Sequence, residues 1–408
     1  MTSRMTTGAP SKGPLTGLRV IDAGTMIAGP LGATQLADFG ADVIKIEQPK
    51  VGDTMRHWAP MKEDKSLWWK VIGRNKRLIT LTLSNGEGQD LFKRLVETAD
   101  IVIENYRPGT FEKWGLGYDV LSKINPRLVM VRVSGFGQTG PYSHRGGYGT
   151  VAEAFSGIPS FTGFPDGPPT LPAFPMGDSV AATFAAMSAM FAIYRRDQGG
   201  SGRGQEIDVS LYEPIFRLAE AQVIGFDQLG RVKKRSGNRI AEDAPRNAYR
   251  TRDDRWIGIS ASSQRTFERL AAAIGRPDMI TDPRCTSNIA RCANVDYVDG
   301  VIGDWIRLHD GDEAMRLFDE AGVVGGLVYD ATDIFKDPHY AARGNIVSVP
   351  DEDFGSVRMQ SVVPRFVETP GEVRFAGASL GAHNHEVYVG ELGLSEGDLA
   401  SLTERNVI

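Results

Sequence analysis

From residue 18 onward, short apolar runs alternate with segments of helical periodicity. Residues 18–22 (LRVID) form a strand-length run ending in the glycine-rich turn AGTMIAGPLG, followed by the helix-like LGATQLADFG and a second run, Asp42–Glu47. The same pattern predicts strands over 77–83, Ile101–Glu104, 128–134 and Glu206–Ser210, an amphipathic helix over 88–99 and an apolar one over 178–196. Such alternation predicts an α/β fold, a parallel sheet covered by helices with ligands at the carboxyl ends of its strands. Residues 159–175 hold six of the 22 prolines and read as an irregular loop at an active site or interface. Beyond Tyr212 comes a long helix-like stretch and then the basic segment RVKKRSGNR, a linker into a smaller unit. The predicted organisation is a disordered lead over 1–14, a large domain over 15–217, a linker over 218–246, a small α+β domain over 247–327, and a return over 328–408 that completes the large domain.

Length and composition narrow the class. With 408 residues, 41% hydrophobic and 24% charged, the chain is long enough for two to three packed domains. Its 46 basic and 51 acidic residues nearly cancel, which disfavours a nucleic-acid partner. The most apolar stretch, 179–194, is about 16 residues and reads as a buried helix, shorter than the roughly 20 residues a membrane span needs. The two cysteines, Cys285 and Cys292, fit neither a zinc spacing nor a disulfide framework. A cytoplasmic protein without a metal site is expected.

Nucleotide motifs are weak. The first turn, Gly24 to Leu31, has the glycine spacing of a phosphate loop but Pro30 where the lysine belongs. Gly135-Phe136-Gly137-Gln138-Thr139-Gly140 is a literal GxGxxG, yet Pro141 follows instead of a helix. Glu47 ends the second strand where a ribose-binding acid would sit in an NAD-dependent oxidoreductase, without the matching glycines. Lys45, Arg56, Arg74, Lys76, Arg77 and Arg107 cluster at loop ends and would together make a cationic rim for phosphates, with Tyr106 as a stacking face for an adenine ring. Asp178 stands where the proline-rich loop becomes a helix. It reads either as an N-cap, stabilising by about 1 kcal/mol, or as a nucleophile kept ionised at the positive helix end, with Gly177 leaving room for substrate. Spacing does not choose between them.

Several longer segments do. LRVIDAGTMIAGPLGATQLADFGADVIKIEQPKVGDTMR, RNKRLITLTL, ENYRPGTFEKWGLGYDVLSKINPRLVMVRVSGFGQTGPY, the GDSVAA turn, GRGQEIDVSLYE and LGAHNHEVYVGELGLS occur in that order, covering nearly the whole chain from about residue 15. Together they resemble the class III (family III) CoA-transferases, the formyl-CoA transferase and carnitine CoA-transferase group. The resemblance implies a Rossmann-like large domain built from both chain ends, a small domain, and two subunits interlocked as linked rings. It makes Asp178 the nucleophile, acting through an aspartyl anhydride and an aspartyl-CoA thioester, with CoA thioesters as substrates and no permanent cofactor. It places Ala28, Gly29, Arg56, Lys76, Asn105, Tyr106 and Arg107 along the CoA cleft.

Substrate contacts are expected from Gly137, Gln138, Tyr148 and Arg246. Where the formyl-CoA member has a glycine run, this chain reads IAEDAPRN over 240–247, which disfavours an oxalate-type acceptor. Arg246 would instead pair with the second carboxylate of a dicarboxylic acid, so succinyl-CoA or a related dicarboxylyl-CoA is the favoured donor, with a small carboxylic acid as acceptor. The main rival, a 2-methylacyl-CoA racemase of the same superfamily, needs a histidine where this chain has Tyr148, and a phenol is a poor proton shuttle at neutral pH; His144 lies nearby. A non-catalytic CoA-binding protein, with Asp178 only a cap, is the third reading. The expected partner is a second copy of the chain, and a paired, heteromeric subunit is the other arrangement the resemblance allows.

Overall fold

The computed structural model describes residues 13–219 and 221–408, so the expected disordered lead lies almost wholly outside the described residues. The chain divides into two compact units. The first runs up to Ile158 and takes in Leu171–Ile224 and Ala341–Ile408; the second comprises Pro159–Thr170 and Gly225–Tyr340.

The first unit is built on β1 (Arg19–Asp22), α1 (Ala28–Asp38), β2 (Asp42–Glu47), β3 (Lys76–Thr80), α2 (Gly86–Val96), β4 (Ile101–Glu104), β5 (Val129–Ser134), α3 (Gly149–Phe155), α4 (Met176–Asp197), β6 (Glu206–Ser210) and α5 (Tyr212–Leu218). The six strands form one parallel sheet in the order β3-β2-β1-β4-β5-β6. The order reverses between β1 and β4, and that switch point is where the turns leaving two neighbouring strands diverge and open a crevice at their carboxyl ends. Because both faces are covered, the strands read as near-continuous apolar runs rather than alternating ones. One face packs Ile21, Val102 and Met130 against Phe92 and Leu95 of α2 and against Tyr388 and Ile408 from the chain end. The other packs Val20, Val131 and Val133 against α1 and the alanines Ala181, Ala185, Ala189 and Ala192 of α4. Small residues let α4 approach closely: a Cβ on Gly32 of α1 would lie 3.1 Å from the carbonyl oxygen of Ala182. Helix α4 is apolar and long enough to cross a membrane by length and composition alone, yet its alanine face is packed in this core.

The terminal HNH segment has a structural use. Strand β3 is at the edge of the sheet, where unpaired N–H groups are a liability. The N–H of Leu78 donates to His383 Nδ1 (2.9 Å) and that of Thr80 to Asn384 Oδ1 (2.9 Å), while Asn384 Nδ2 donates to Thr80 Oγ1 (2.7 Å). Asn384→Ala removes two of these bonds and is expected to cost about 1–3 kcal/mol. Urea denaturation checks this, and an unchanged midpoint would remove the role.

Helix α6 (Ala221–Leu229) starts in the first unit's segment, which ends at Ile224, and continues into the second, whose antiparallel sheet is made of β7 (Arg246–Arg250), β8 (Trp256–Ser260) and β9 (Gly325–Leu327), ordered β9-β8-β7. Helices α7 (Gln264–Ala273), α8 (Val295–Ile306) and α9 (Gly311–Ala321) enclose Phe267, Ile302 and Phe318 against it. The stretch expected as a linker over 218–246 therefore contains a helix, α6, and the loop expected over 159–175 is shared by both units. Cys285 is buried, Cys292 half-buried, and both thiols are free.

Candidate active site

A cavity of about 1180 Å³ opens at the sheet's switch point, entirely within the first unit. Its wall includes Thr25, Met26, Ile27 and Ala28 after β1, Asn105, Tyr106 and Arg107 after β4, and Ser134 at the end of β5. The lining is completed by Arg145, Tyr148, Gly149 and Glu153, then the loop Leu171 to Pro175 and Asp178.

Buried ion pairs hold the β1 turn. Asp22 Oδ1 accepts from the N–H of Gly24 (3.1 Å), Asp53 accepts from that of Met26 (3.1 Å), and Lys45 Nζ donates to the carbonyl of Gly24. Met26 sits at φ 61°, a left-handed conformation that a side chain adopts only when its surroundings impose it. Lys45 pairs with Asp53 at 3.1 Å and Lys76 with Asp22 at 2.8 Å. Burial favours the neutral amine of Lys45, but Asp22 and Asp53 outweigh it and hold the amine above its usual range. The β4 turn is tied to the β1 turn by a reciprocal pair: the Thr25 N–H donates to Asn105 Oδ1 (2.7 Å) and Asn105 Nδ2 to the Thr25 carbonyl (2.8 Å). Below it, Glu104 accepts from the Tyr106 N–H (2.7 Å) and from Arg132 (2.7 Å). Burial pushes the Glu104 carboxyl up to about 7 against the Arg132 charge.

The expected cationic rim does not form. Lys45 and Lys76 are fully buried in the pairs just described, Arg56 forks onto Glu47 (2.6 and 2.7 Å), Arg74 binds Asp38, and Arg77 binds Asp42 (2.6 Å). Of the six, only Arg107 lines the cavity. Glu47 is occupied by Arg56 and the Asp53 N–H, which takes it from any ribose. Thus Arg56 and Lys76 support the fold, and buried Gly29 packs against Asn105 behind the wall that Ala28 faces. The Tyr106 ring, expected as an adenine platform, lines the cavity and lies edge-on to Trp114 with centroids 5.0 Å apart.

The remaining expected contacts separate. Tyr148 lines the cavity and is 69% exposed. Gly137 and Gln138 do not line it; the Gln138 N–H donates to Asp208 (2.8 Å), and Gly137 takes φ 87° to make that turn. Arg246 belongs to the second unit, where its guanidinium donates to the Asn238 carbonyl (2.5 Å).

Asp178 is not an N-cap. Helix α4 begins two residues earlier, at Met176 after Pro175, so Asp178 lies in the first turn with its carboxylate facing the cavity. Burial, and then the negative charge of Glu153, lift its carboxyl from 3.8 to about 6. Glu153 is buried and accepts from the N–H of Gly177 at 2.9 Å. Sequence reasoning missed Glu153, Gly149, Arg145 and Ser134. The Ser134 Oγ is buried without a hydrogen-bond partner on the cavity wall. Arg107 and Arg145 have no carboxylate partner among the described residues, and Arg145 stacks over Tyr142 at 3.7 Å. The site thus offers one carboxylate of raised basicity and two arginines lining a single cavity.

Known proteins carry the same arrangement of chain. The family model described as CoA-transferase family III matches residues 15–384. A succinyl-CoA–D-citramalate CoA-transferase from Chloroflexus aurantiacus is 45% identical over 396 residues, spanning 97% of this chain and 98% of that protein. The beta subunit of a succinyl-CoA–L-malate CoA-transferase from the same organism is 40% identical, spanning 97% and 98%. The crystal structure of a CAIB/BAIF family protein from Brucella suis superposes with a TM-score of 0.82 at 30% identity, covering 93% of this chain and 99% of that one. With matches of this extent in sequence and in fold, the chain belongs to CoA-transferase family III.

Proposed function

We propose that this CoA-transferase moves CoA from succinyl-CoA to a small hydroxy-dicarboxylic acid of the citramalate or malate type, with Asp178 as covalent nucleophile. The observation that carries the reading is a carboxylate of raised basicity on the wall of a cavity large enough for an acyl-CoA terminus. The relatives at 45% and 40% identity are named for succinyl-CoA with citramalate and malate, which supports the substrate class. In this reading an Asp178 oxygen attacks the thioester carbonyl, the C–S bond breaks, and the pair leaves on the CoA sulfur. The thiolate then attacks the aspartyl carbonyl of the anhydride, releasing succinate and leaving an aspartyl-CoA thioester. The acceptor carboxylate attacks that thioester in turn; the freed thiolate takes the acceptor's carbonyl and restores Asp178. Arg107 and Arg145, both without a carboxylate partner among the described residues, supply the positive charge that an anionic substrate needs.

The working assembly in this proposal is an interlocked homodimer. Supporting it, Met187, Phe191 and Tyr194 recur at helical spacing on α4 and are exposed, and α6 buries none of its residues. Of the alternatives, the racemase lacks support at this cavity, where Tyr148 and Glu153, and no histidine, accompany Asp178 among the described lining residues.

The test is hydroxylamine trapping with succinyl-CoA followed by peptide mass spectrometry. A donor-dependent hydroxamate on Asp178 is expected; an unmodified Asp178 in a turning-over enzyme sinks the nucleophile. The pH dependence follows from the same group. Because only the carboxylate attacks, and its carboxyl titrates at about 6, kcat/KM is expected to rise about tenfold per unit up to that pH and to flatten above it. A limb near 4 in the pH–rate profile would contradict the site's electrostatics.

A further inference from the structure

Glu153 poses a question that the reaction above leaves open. The residue is 3% exposed, and its carboxylate forms no ion pair among the described residues and accepts one backbone hydrogen bond, from the N–H of Gly177 at 2.9 Å. That N–H is one of the first-turn donors of α4 that have no partner within the helix. An amide oxygen would satisfy it equally well, whereas an unpaired buried charge costs several kcal/mol. The negative charge therefore needs a use beyond holding the backbone.

The surroundings supply one. Gly149 and Gly177 bring the starts of α3 and α4 into backbone contact: a Cβ on Gly177 would lie 3.0 Å from the Gly149 carbonyl oxygen. Glu153, one turn along α3 from Gly149, thereby grips the residue directly before Asp178. Resting on the reading of Asp178 as nucleophile, we propose that Glu153 is a positioning residue of the transfer: it fixes the backbone carrying Asp178, and its charge drives Asp178 towards the acylated, uncharged state. In the acylation step a lone pair of Asp178 makes the C–O bond, the C–S bond breaks, and no proton moves. The negative charge thus passes from Asp178 to the departing sulfur, and the repulsion between two neighbouring carboxylates disappears.

Other charged or titratable groups lie on the elements around this pair. The elements packed against α3 and α4 carry Tyr212, Glu213 and Arg217 on α5, Arg132 on β5, Glu206 and Asp208 on β6, and Asp38 at the far end of α1. Glu213 is held by Ser210, Arg132 by Glu104, Glu112 and Glu206, and Asp38 by Arg74. The cavity wall adds Tyr106, Arg107, Arg145 and Tyr148. After burial itself, Glu153 is the group that raises the Asp178 carboxyl.

The experiment is single-turnover acylation by succinyl-CoA, read as hydroxamate on Asp178 across pH 4–9, in the parent enzyme and in Glu153→Gln and Glu153→Asp. Glu153→Gln keeps the acceptor for Gly177 and removes the charge, so the acid limb is expected to move down by about one pH unit and the plateau rate to fall. Glu153→Asp keeps the charge and loosens the grip on Gly177, so its limb stays near that of the parent. A limb unmoved in the Gln variant, or moved equally in the Asp variant, overturns the proposal. Should the Gln variant fail to fold, the Asp variant alone decides, since a purely structural Glu153 predicts a limb that follows the hydrogen bond. Absence of hydroxamate on parental Asp178 with every donor fails the nucleophile instead, a result distinct from an unmoved limb.

Discussion

Replacing Asp178 by Asn is expected to lower transfer at least about 10³-fold while leaving the protein folded. The amide fills the same volume in the first turn of α4 but has no carboxylate oxygen to form an anhydride. Because Asp178 is not the N-cap, and the amide oxygen of Asn can accept the same backbone hydrogen bond as the carboxylate, the substitution removes no helix cap. The folded-state carboxyl, at about 6, lies above its ordinary value of 3.8. Between those values the native chain binds a proton that the unfolded chain has released, so this group's contribution to stability is full below pH 4 and is lost as pH rises through 6. Asn carries no such titration. The variant is therefore expected to be more stable than the parent at pH 8, on the order of 1–2 kcal/mol after allowance for partial solvent screening, and closely similar to it at pH 4. Melting curves at both pH values, run beside the transfer assay, check the two halves of this expectation. Retained turnover would remove Asp178 from the chemistry, and a lower melting temperature at pH 8 would show that the carboxylate is a structural asset.

The sheet was largely legible because its strands are short apolar runs buried on both faces. Asp42–Glu47, Ile101–Glu104 and Glu206–Ser210 have the predicted bounds. Strand β3 stops at Thr80 rather than 83: the Leu81 N–H still donates to the Glu47 carbonyl of β2 (2.8 Å), but the Thr82 N–H turns to Val407 (2.8 Å), and Leu81 and Leu83 extend the apolar run only into the core shared with α2. The start of α4 was misplaced by treating Asp178 as the cap, when Pro175 occupies that position without any side-chain bond. The cationic rim failed for a different reason. Lys45 and Lys76 are paired with Asp22 and Asp53, partners 8 to 54 residues away that the parallel sheet brings together. Local composition carries no record of such pairing. Resemblance singled out Asp178, and the fold then gave it a cavity; Glu153 and Gly149 gained meaning only where α3 meets α4, across the proline-rich segment between Phe155 and Met176.

Gly149→Ala should be almost as damaging as loss of the nucleophile's geometry allows, and for a reason confined to one atom. A Cβ at position 149 would lie 2.3 Å from Asp178 Oδ2 and 3.2 Å from its Cγ, so the carboxylate must move by about 1 Å to accommodate it. A misplacement of that size at a reacting group costs about 10²-fold in rate. Gly149 is the first residue of α3, and it is not among the residues at positive φ, so its backbone tolerates alanine. Replacing glycine there adds up to about 1 kcal/mol of helix propensity. The expected signature is a fall in kcat with an undiminished melting temperature and little change in KM for the acyl-CoA. Gly177→Ala differs, because its Cβ would meet backbone, the Gly149 carbonyl oxygen at 3.0 Å, and would push the two helix starts apart; it should lose both activity and stability. Gly300→Ala, in helix α8 with open space around the added methyl, controls for the general effect of alanine at a helical glycine. Full activity in Gly149→Ala would mean that the Asp178 carboxylate reacts from a different rotamer, and would move the reacting centre to another part of the cavity wall.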